Sequence, residues 1–344
     1  MGHPRKRLRA LATVVPALAL VLAGCGTSGS PTDRPETSAA QGSALGQDVE
    51  LYVNPDNNGR KGAQQLRAAG KVQQARLVQR RIADRPTATW LTPDPDAVYA
   101  EARQITRAAA AEGSLPVLVA YNVPNRDCGL FSSGGAADID AYLEWVGSLA
   151  AGVGRNPAVV VLEPDALAHA LEGCGSAKAA DERQRLLSEA VEILKRQPQL
   201  RVYVDAGNAS WITDVDALSA GLKASGVEQA DGFALNVSNF ETTERSVSFG
   251  TRLSQRLGGA HFVVDTSRNG NGPLERTGGD QASHADWCNP PGRRLGTPPT
   301  TDTDHPLVDA LLWVKQPGDS DGTCGKGAPP AGQWYPELAL DLVS

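Results

Sequence analysis

Seven carboxylates, Asp127, Glu163, Asp165, Asp205, Asp265, Asp319 and Asp321, fall at or just past short apolar runs of this 344-residue chain. Tyr121, Lys315 and Arg268 lie near them in the same segments, and Trp90, Trp211 and Trp287 stand in the flanking stretches. One acid that keeps its proton and a second carboxylate that serves water or carbon are what cleavage of a glycosidic bond requires. Tryptophan faces supply flat apolar platforms for sugar rings. Any single acid here, Asp205 or Asp265 for instance, is as readily a helix cap or a loop salt-bridge partner. It is the cluster that points to chemistry.

The elements that must position the cluster alternate. β-Branched runs recur at 50–54, 88–91, 116–121, 158–163, 201–205, 232–236, 261–265 and 310–315, eight candidate strands. Between most of them lie stretches of helical periodicity, at 61–83, 95–111, 138–152, 179–196, 214–225 and 241–257. Strand and helix in alternation, with runs apolar on both faces, predict a parallel sheet covered by helices. Each run ends on a polar or aromatic candidate: Asn54, Trp90, Tyr121, Glu163 with Asp165, Asp205, Asn236, Asp265 and Lys315. A closed barrel gathers all such ends at one mouth, whereas an open sheet concentrates its site at one switch point, so the barrel is expected. The segment 266–306 is too long for a plain connection and reads as a functional rim element.

Composition bounds the rest. The chain is 41% hydrophobic and 21% charged, enough to bury a large core. Removing the four basic residues of the first 24 positions takes the formal charge from −6 to −10, which argues against a nucleic-acid partner. Those residues form a basic stretch and an apolar run of secretory-signal type, too short for a transmembrane helix. The run ends Leu22-Ala23-Gly24-Cys25, which resembles a bacterial lipobox with Cys25 as the lipidated first residue. Residues 25–47, rich in small and polar types, read as a flexible tether, leaving 48–344 as the folded body. Export implies an oxidising compartment, so Cys128, Cys174, Cys288 and Cys324 are expected as two disulfides. Loops that are neighbours on one barrel rim would pair Cys128 with Cys174 and Cys288 with Cys324. No CxxC occurs and the five histidines lack ligand spacing, so no metal and no cofactor is expected.

Longer motifs then carry a resemblance. Tyr121-Asn122-Val123-Pro124-Asn125-Arg126-Asp127-Cys128-Gly129 with Ser132-Ser133-Gly134-Gly135, and Val160-Val161-Leu162-Glu163-Pro164-Asp165-Ala166-Leu167, resemble the two signatures of glycoside hydrolase family 6, cellulases built on a distorted β/α barrel. Val204-Asp205-Ala206-Gly207 with Trp211, 234–240, 264–270, Asp286-Trp287-Cys288, and Leu312-Trp313-Val314-Lys315 leading to Asp321-Gly322 match in order from about Leu51 onward. The fold class implied is α/β, a single distorted (β/α) barrel of TIM type with seven or eight parallel strands.

The resemblance implies an inverting endo-β-1,4-glucanase acting on cellulose or soluble glucans. Asp165 would be the general acid, and Asp127 would hold it protonated by like-charge repulsion. Asp321 matches the proposed base, acting through water or mainly as a charge, with Lys315 and Arg268 as its ion-pair partners. Tyr121 would sit beneath the distorted sugar, Asp205 would bind hydroxyls, and Ser133 could close over substrate. Trp90, Trp211 and Trp287 would line subsites, with Asn236 and Asp319 among the substrate-binding positions. Asn208 departs from the pattern, since many relatives place a substrate-touching histidine there, and Asp319 replaces a frequent glutamate. The short segment 315–333 implies an open cleft rather than a tunnel. A cellobiohydrolase of the same family, a retaining glycosidase using Glu163, and a tethered, non-catalytic glucan-binding lipoprotein are the alternatives. The partner expected is a β-1,4-glucan, with the membrane engaged only through a lipid anchor, on an exported monomer.

Overall fold

A computed structural model of the protein describes residues 43–91, 93–274, 284–325 and 327–344. The leader, Cys25 and the tether up to position 42 lie outside the described residues, as does part of the long rim segment.

Among the described residues there are seven strands, all parallel and in sequence order: β1 Thr89–Trp90, β2 Val117–Ala120, β3 Ala158–Leu162, β4 Leu200–Asp205, β5 Gly232–Leu235, β6 His261–Asp265 and β7 Val308–Leu312. The eighth expected strand, 50–54, shrinks to one parallel bridge, Leu51 to Leu115, just below β2. It and the two-residue β1 share the free edge of β2, Leu51 pairing below and Thr89–Trp90 above. Among the described residues β1 does not ladder to β7. The seam is spanned instead by Ala88 N–H to Trp313 O at 2.9 Å, the Trp90 indole N–H to Val314 O at 2.9 Å and Gln316 to Ala88 O at 3.0 Å. The last expected strand, 310–315, begins and ends earlier as β7, so Lys315 stands on the loop above the strand.

Alternation along the strands sorts side chains into two cores. Val117, Val119, Val159, Val161, Tyr203, Ala234, Val263 and Ala310 fill the barrel interior, while Leu118, Val160, Leu162, Val204, Phe233, Phe262 and Val264 pack outward against helices. Each such buried aliphatic contributes about 1.5–3 kcal/mol relative to exposure. Leu45 and Leu51 close the lower end of the interior, and Ala44 N–H donates to Asp309 Oδ1 at 3.1 Å. The packed body therefore begins before the expected boundary at 48.

Helices follow the expected stretches, with side chains fixing their starts. α1 Asn58–Ala68 and α2 Val72–Val78 replace one predicted helix, which breaks at Gly70, φ +76°. A π-helical turn, Gln79–Ala83, follows. α3 Pro95–Glu112, α4 Ile139–Val153, α6 Ala177–Lys195 and α7 Val215–Ala224 are capped by Asp94, Asp138, Ser176 and Asp214, whose oxygens accept backbone N–H groups of the first turn. α5 Ala166–Leu171 and α8 Thr243–Arg256 follow β3 and β5, the short α9 His284–Trp287 lies in the rim segment, and α10 Pro336–Val343 ends the chain. Cys128 pairs with Cys174 and Cys288 with Cys324, the pairing expected from neighbouring rim loops.

Candidate active site

A cleft of about 1810 Å³ opens at the C-terminal ends of the strands. Asp127, Asp165 and Asp321, with Tyr121, Trp90, Ser133, Trp211, Trp287, Lys315 and Asp319, all line it. Three predicted binding residues do not. Asn236 is fully buried, its side-chain amide donating to Glu241 O and Asp265 O and its carbonyl accepting Glu241 N–H, so it ties the β5 end to neighbouring loops. Asp205 and Arg268 lie beneath the lining, buried, and act on residues that face the cleft.

The chain reverses sharply between β3 and α5: Glu163 (φ +50°) and Asp165 (φ +69°) flank Pro164 in the left-handed region, which non-glycine residues seldom occupy. The turn aims two acids in different directions. Glu163 points inward, accepting Asn122 N–H at 2.9 Å and Val123 N–H at 3.1 Å, and so locks β3 to the loop after β2. Burial pushes it up to about 7, partly offset by those donors. Asp165 faces the cleft. Burial and the charges of Asp205 and Asp127 raise it well above the carboxylate range, while Lys315 opposes them. Asp205 Oδ1 accepts the N–H of Asp165 at 3.0 Å and of Gly207 at 3.0 Å. Burial pushes Asp205 up to about 7, with these two donors opposing the rise; among the described residues Asp165 has no such pair of donors, so of the two buried acids Asp165 is the one suited to hold the proton.

Asp127 lies on a short 3-10 turn, Asp127–Gly129, whose neighbour Cys128 is stapled to Cys174 beyond α5. Ser132 N–H donates to Asp127 Oδ2 at 2.6 Å. Burial raises this acid, against the Ser132 donor and the nearby His169 and Arg126. Arg126 shapes the same loop. It donates to Tyr121 O at 2.6 Å and Ser132 O at 2.8 Å and lies 4.6 Å from the centre of the Tyr121 ring. That ring meets Trp90 edge-on at 5.1 Å.

The cleft wall around Asp321 carries the opposite electrostatics. Asp321 meets Arg268 Nη1 at 2.7 Å and Lys315 Nζ at 3.1 Å and accepts Asn289 N–H at 3.0 Å. Burial alone would raise its carboxyl, but the two cations outweigh burial and hold it below the ordinary range. Asp265 anchors this wall, accepting N–H groups from Ser267 (2.8 Å), Lys315 (2.9 Å) and Ser238 (3.0 Å), the role of a loop acid rather than a reacting one. Asp319, pushed by burial up to about 7, accepts from Asn58 Nδ2 at 2.9 Å.

Some lining residues gave no signal in the sequence. Asn58 arrives from α1, and Glu241 accepts from Ser210 Oγ at 2.6 Å beside Asn208. His169 offered only its spacing four residues after Asp165; the fold adds Asp127, so that ligand-type atoms of Asp127, Asp165 and His169 all lie within 4.8 Å of one another.

Residues 46–344 match the family model described as Glycosyl hydrolases family 6. The chain is 43% identical over 295 residues to Endoglucanase A of Cellulomonas fimi, an alignment covering 85% of this chain and 60% of that one. It is 40% identical to Endoglucanase 1 of Streptomyces halstedii, with 85% and 88% covered. Among solved structures, an endoglucanase from Mycobacterium tuberculosis in complex with a methyl-cellobiosyl-4-deoxy-4-thio-β-D-cellobioside superposes with a TM-score of 0.78 at 41% identity, covering 86% of this chain and 96% of that one.

Proposed function

The chain belongs to glycosyl hydrolase family 6, and on that premise we propose that it is an inverting endo-β-1,4-glucanase with Asp165 as general acid. One observation carries the reading. The cleft holds both a carboxyl driven toward its protonated form, Asp165, and a carboxylate held ionised by two cations, Asp321. Acid and base roles are assigned where environments push two such groups apart.

Protonated Asp165 donates to the glycosidic oxygen as the bond to the anomeric carbon breaks. Asp127 and Asp205, in their ionised forms, oppose loss of that proton by like-charge repulsion until then. Water attacks the opposite face of the ring and its proton passes toward Asp321, directly or through a second water, while the Asp321 charge supports the oxocarbenium-like transition state. Asp321 has both oxygens engaged by cations, which suits a charge and a relay better than a strong base. Tyr121 would support the distorted ring. Trp90, Trp211 and Trp287 would stack on neighbouring sugars, with Ser133, Asp319 and Lys315 supplying polar contacts. Asp205 and Arg268 act from behind the lining and bind no sugar directly, and Asn236 is structural.

The engagement of both Glu163 oxygens by backbone donors disfavours a retaining mechanism through that residue. Two disulfides suit an exported protein. We propose further that Cys25 is lipidated at the outer face of the membrane and that the enzyme acts as a monomer on soluble or amorphous glucan.

Proton NMR of cello-oligosaccharide cleavage tests the reaction. The α-anomer should form first, and Asp165→Asn should lower kcat on the order of 10³-fold. Initial β-anomer would overturn inversion, and undiminished turnover in Asp165→Asn would remove the acid.

A further inference from the structure

Beside the reacting carboxyls stands an imidazole that the proposed mechanism does not use. His169 follows Asp165 by one helical turn of α5, its backbone N–H bonded to Asp165 O at 2.9 Å, so both side chains project from one face. Three cleft elements converge on its ring. The loop after β2 brings Asp127 and Cys128, the end of α5 brings Cys174 through the disulfide, and the loop after β4 brings Trp211, which meets the imidazole edge-on at 5.0 Å between ring centres. A ring nitrogen of His169 and carboxylate oxygens of Asp127 and Asp165 lie within 4.8 Å of one another. The ring is half-buried and lines the cleft, so protons reach it from solvent.

We propose that His169 is a positioning residue of the glucanase reaction, which sets through its own charge how far the Asp127–Asp165 pair stays in its working protonation state. The proposal rests on the reading of Asp165 as the acid and Asp127 as its ionised neighbour. Protonated His169 stabilises ionised Asp127 and so preserves the working pair as pH falls. Neutral His169 leaves Asp165 free of a cation on its own helix, so the acid keeps its proton as pH rises. A residue with fixed charge provides one of these and forfeits the other.

The other charges facing the imidazole are Glu172 at the end of α5 and Arg183 of α6, with Arg126 behind Asp127. Burial lowers the imidazole, and Arg183 adds to that; Asp127 and Glu172 oppose it. The balance is a net lowering, so His169 is neutral beside Asp165 at neutral pH. Trp211 and the Cys128–Cys174 disulfide hold the ring in this position.

Three measurements test this together: kcat/KM against pH on a soluble cello-oligosaccharide for wild type, His169→Asn and His169→Arg. In His169→Asn the acid limb should move up by about one pH unit, the size expected of one charge about 5 Å away in a partly solvated site, while the alkaline limb stays in place. In His169→Arg the alkaline limb should move down, because a permanent cation favours ionised Asp165. A purely structural histidine would lower kcat at every pH and leave both limbs where they were, which overturns the proposal. NMR titration of the His169 imidazole provides a readout besides activity: Asp127→Asn should lower its pKa, and an unchanged titration counts against the coupling. Wild-type protein that cleaves no β-1,4-glucan would sink the glucanase reading and this proposal with it, whereas cleavage with unmoved limbs would sink this proposal alone.

Discussion

Asp205 Oδ1 accepts the backbone N–H of Asp165 at 3.0 Å, so the acid beneath the cleft holds by its main chain the residue whose side chain it also acts on by charge. The contact fixes the left-handed Asp165 backbone (φ +69°) and places a second buried acid behind the proposed proton donor. Asp205→Asn keeps an acceptor oxygen but removes the charge. Its kcat/KM should fall about 10–100-fold, with the alkaline limb moving to lower pH because Asp165 gives up its proton more easily. A pH profile that merely scales down, with its alkaline limb unmoved, would sink the electrostatic role.

Glu163 has the opposite assignment despite standing two residues away. Its folded pKa, about 7, lies above its ordinary value of 4.5, so its contribution to stability is full below about pH 4 and is lost as pH rises through 7. The shift corresponds to about 3 kcal/mol between these limits. Asp319, also raised to about 7, acts with the same sign. Unfolding midpoints should therefore be higher at pH 5 than at pH 8. Glu163→Gln cannot accept from both Asn122 and Val123 in the same way and should lose about 1–3 kcal/mol at pH 5, with the deficit narrowing toward pH 8. Urea denaturation at both pH values measures this, and a pH-independent deficit would contradict it.

Much of this arrangement was legible along the chain because it depends on local order. Strand ends and the acids just past them, Asp165 after β3 and Asp205 at the end of β4, are adjacent in sequence, and helix starts are written in caps such as Asp138 and Asp214. Contacts made by curling the sheet are not written locally. The sharing of the β2 edge by Leu51 and β1, which cost the eighth strand, depends on Leu115 and on the seam with Trp313. Asn236 follows a strand as site residues do, yet its carbonyl and amide are spent on Glu241 and Asp265, a contact set only the folded chain assembles. Arg268 forms the ion pair with Asp321 that its motif implied, but it does not line the cleft, since its guanidinium is wholly buried against the Phe240 ring at 4.4 Å. His169 needed Asp127, 42 positions away, before its place had meaning.

Arg268 forms with Asp321 a buried ion pair at 2.7 Å, and its second nitrogen reaches Ser238 O. Removing one partner of such a pair leaves an uncompensated charge and costs about 3–5 kcal/mol. Arg268→Met should lose stability on that scale. Lys315→Met, whose partner keeps its arginine, should lose clearly less stability while still lowering kcat. Paired urea melts check the order, and equal losses would show that the two cations share the load.

The two rim loops, each stapled by its own disulfide, meet through one ring. Phe131, on the Cys128 loop, lies 6.0 Å from Trp287 between ring centres, and a Cβ built on Gly322 would fall 2.5 Å from its own Cβ. Gly322, φ +148°, is therefore required twice, for its backbone and for the space that Phe131 takes. The short segment 315–333 implied a cleft open along its length, and this contact narrows it at one place. Both rings line the cleft, so on the proposed glucanase reading a bulky polymer entering sideways meets this contact more than a short oligosaccharide does. Phe131→Ala should raise the rate of viscosity loss on soluble cellulose a few-fold relative to cello-oligosaccharide turnover, and raise KM for oligosaccharides as Trp287 loses its neighbour. An unchanged ratio of the two activities would mean that the loops part without cost and that Phe131 does not govern entry.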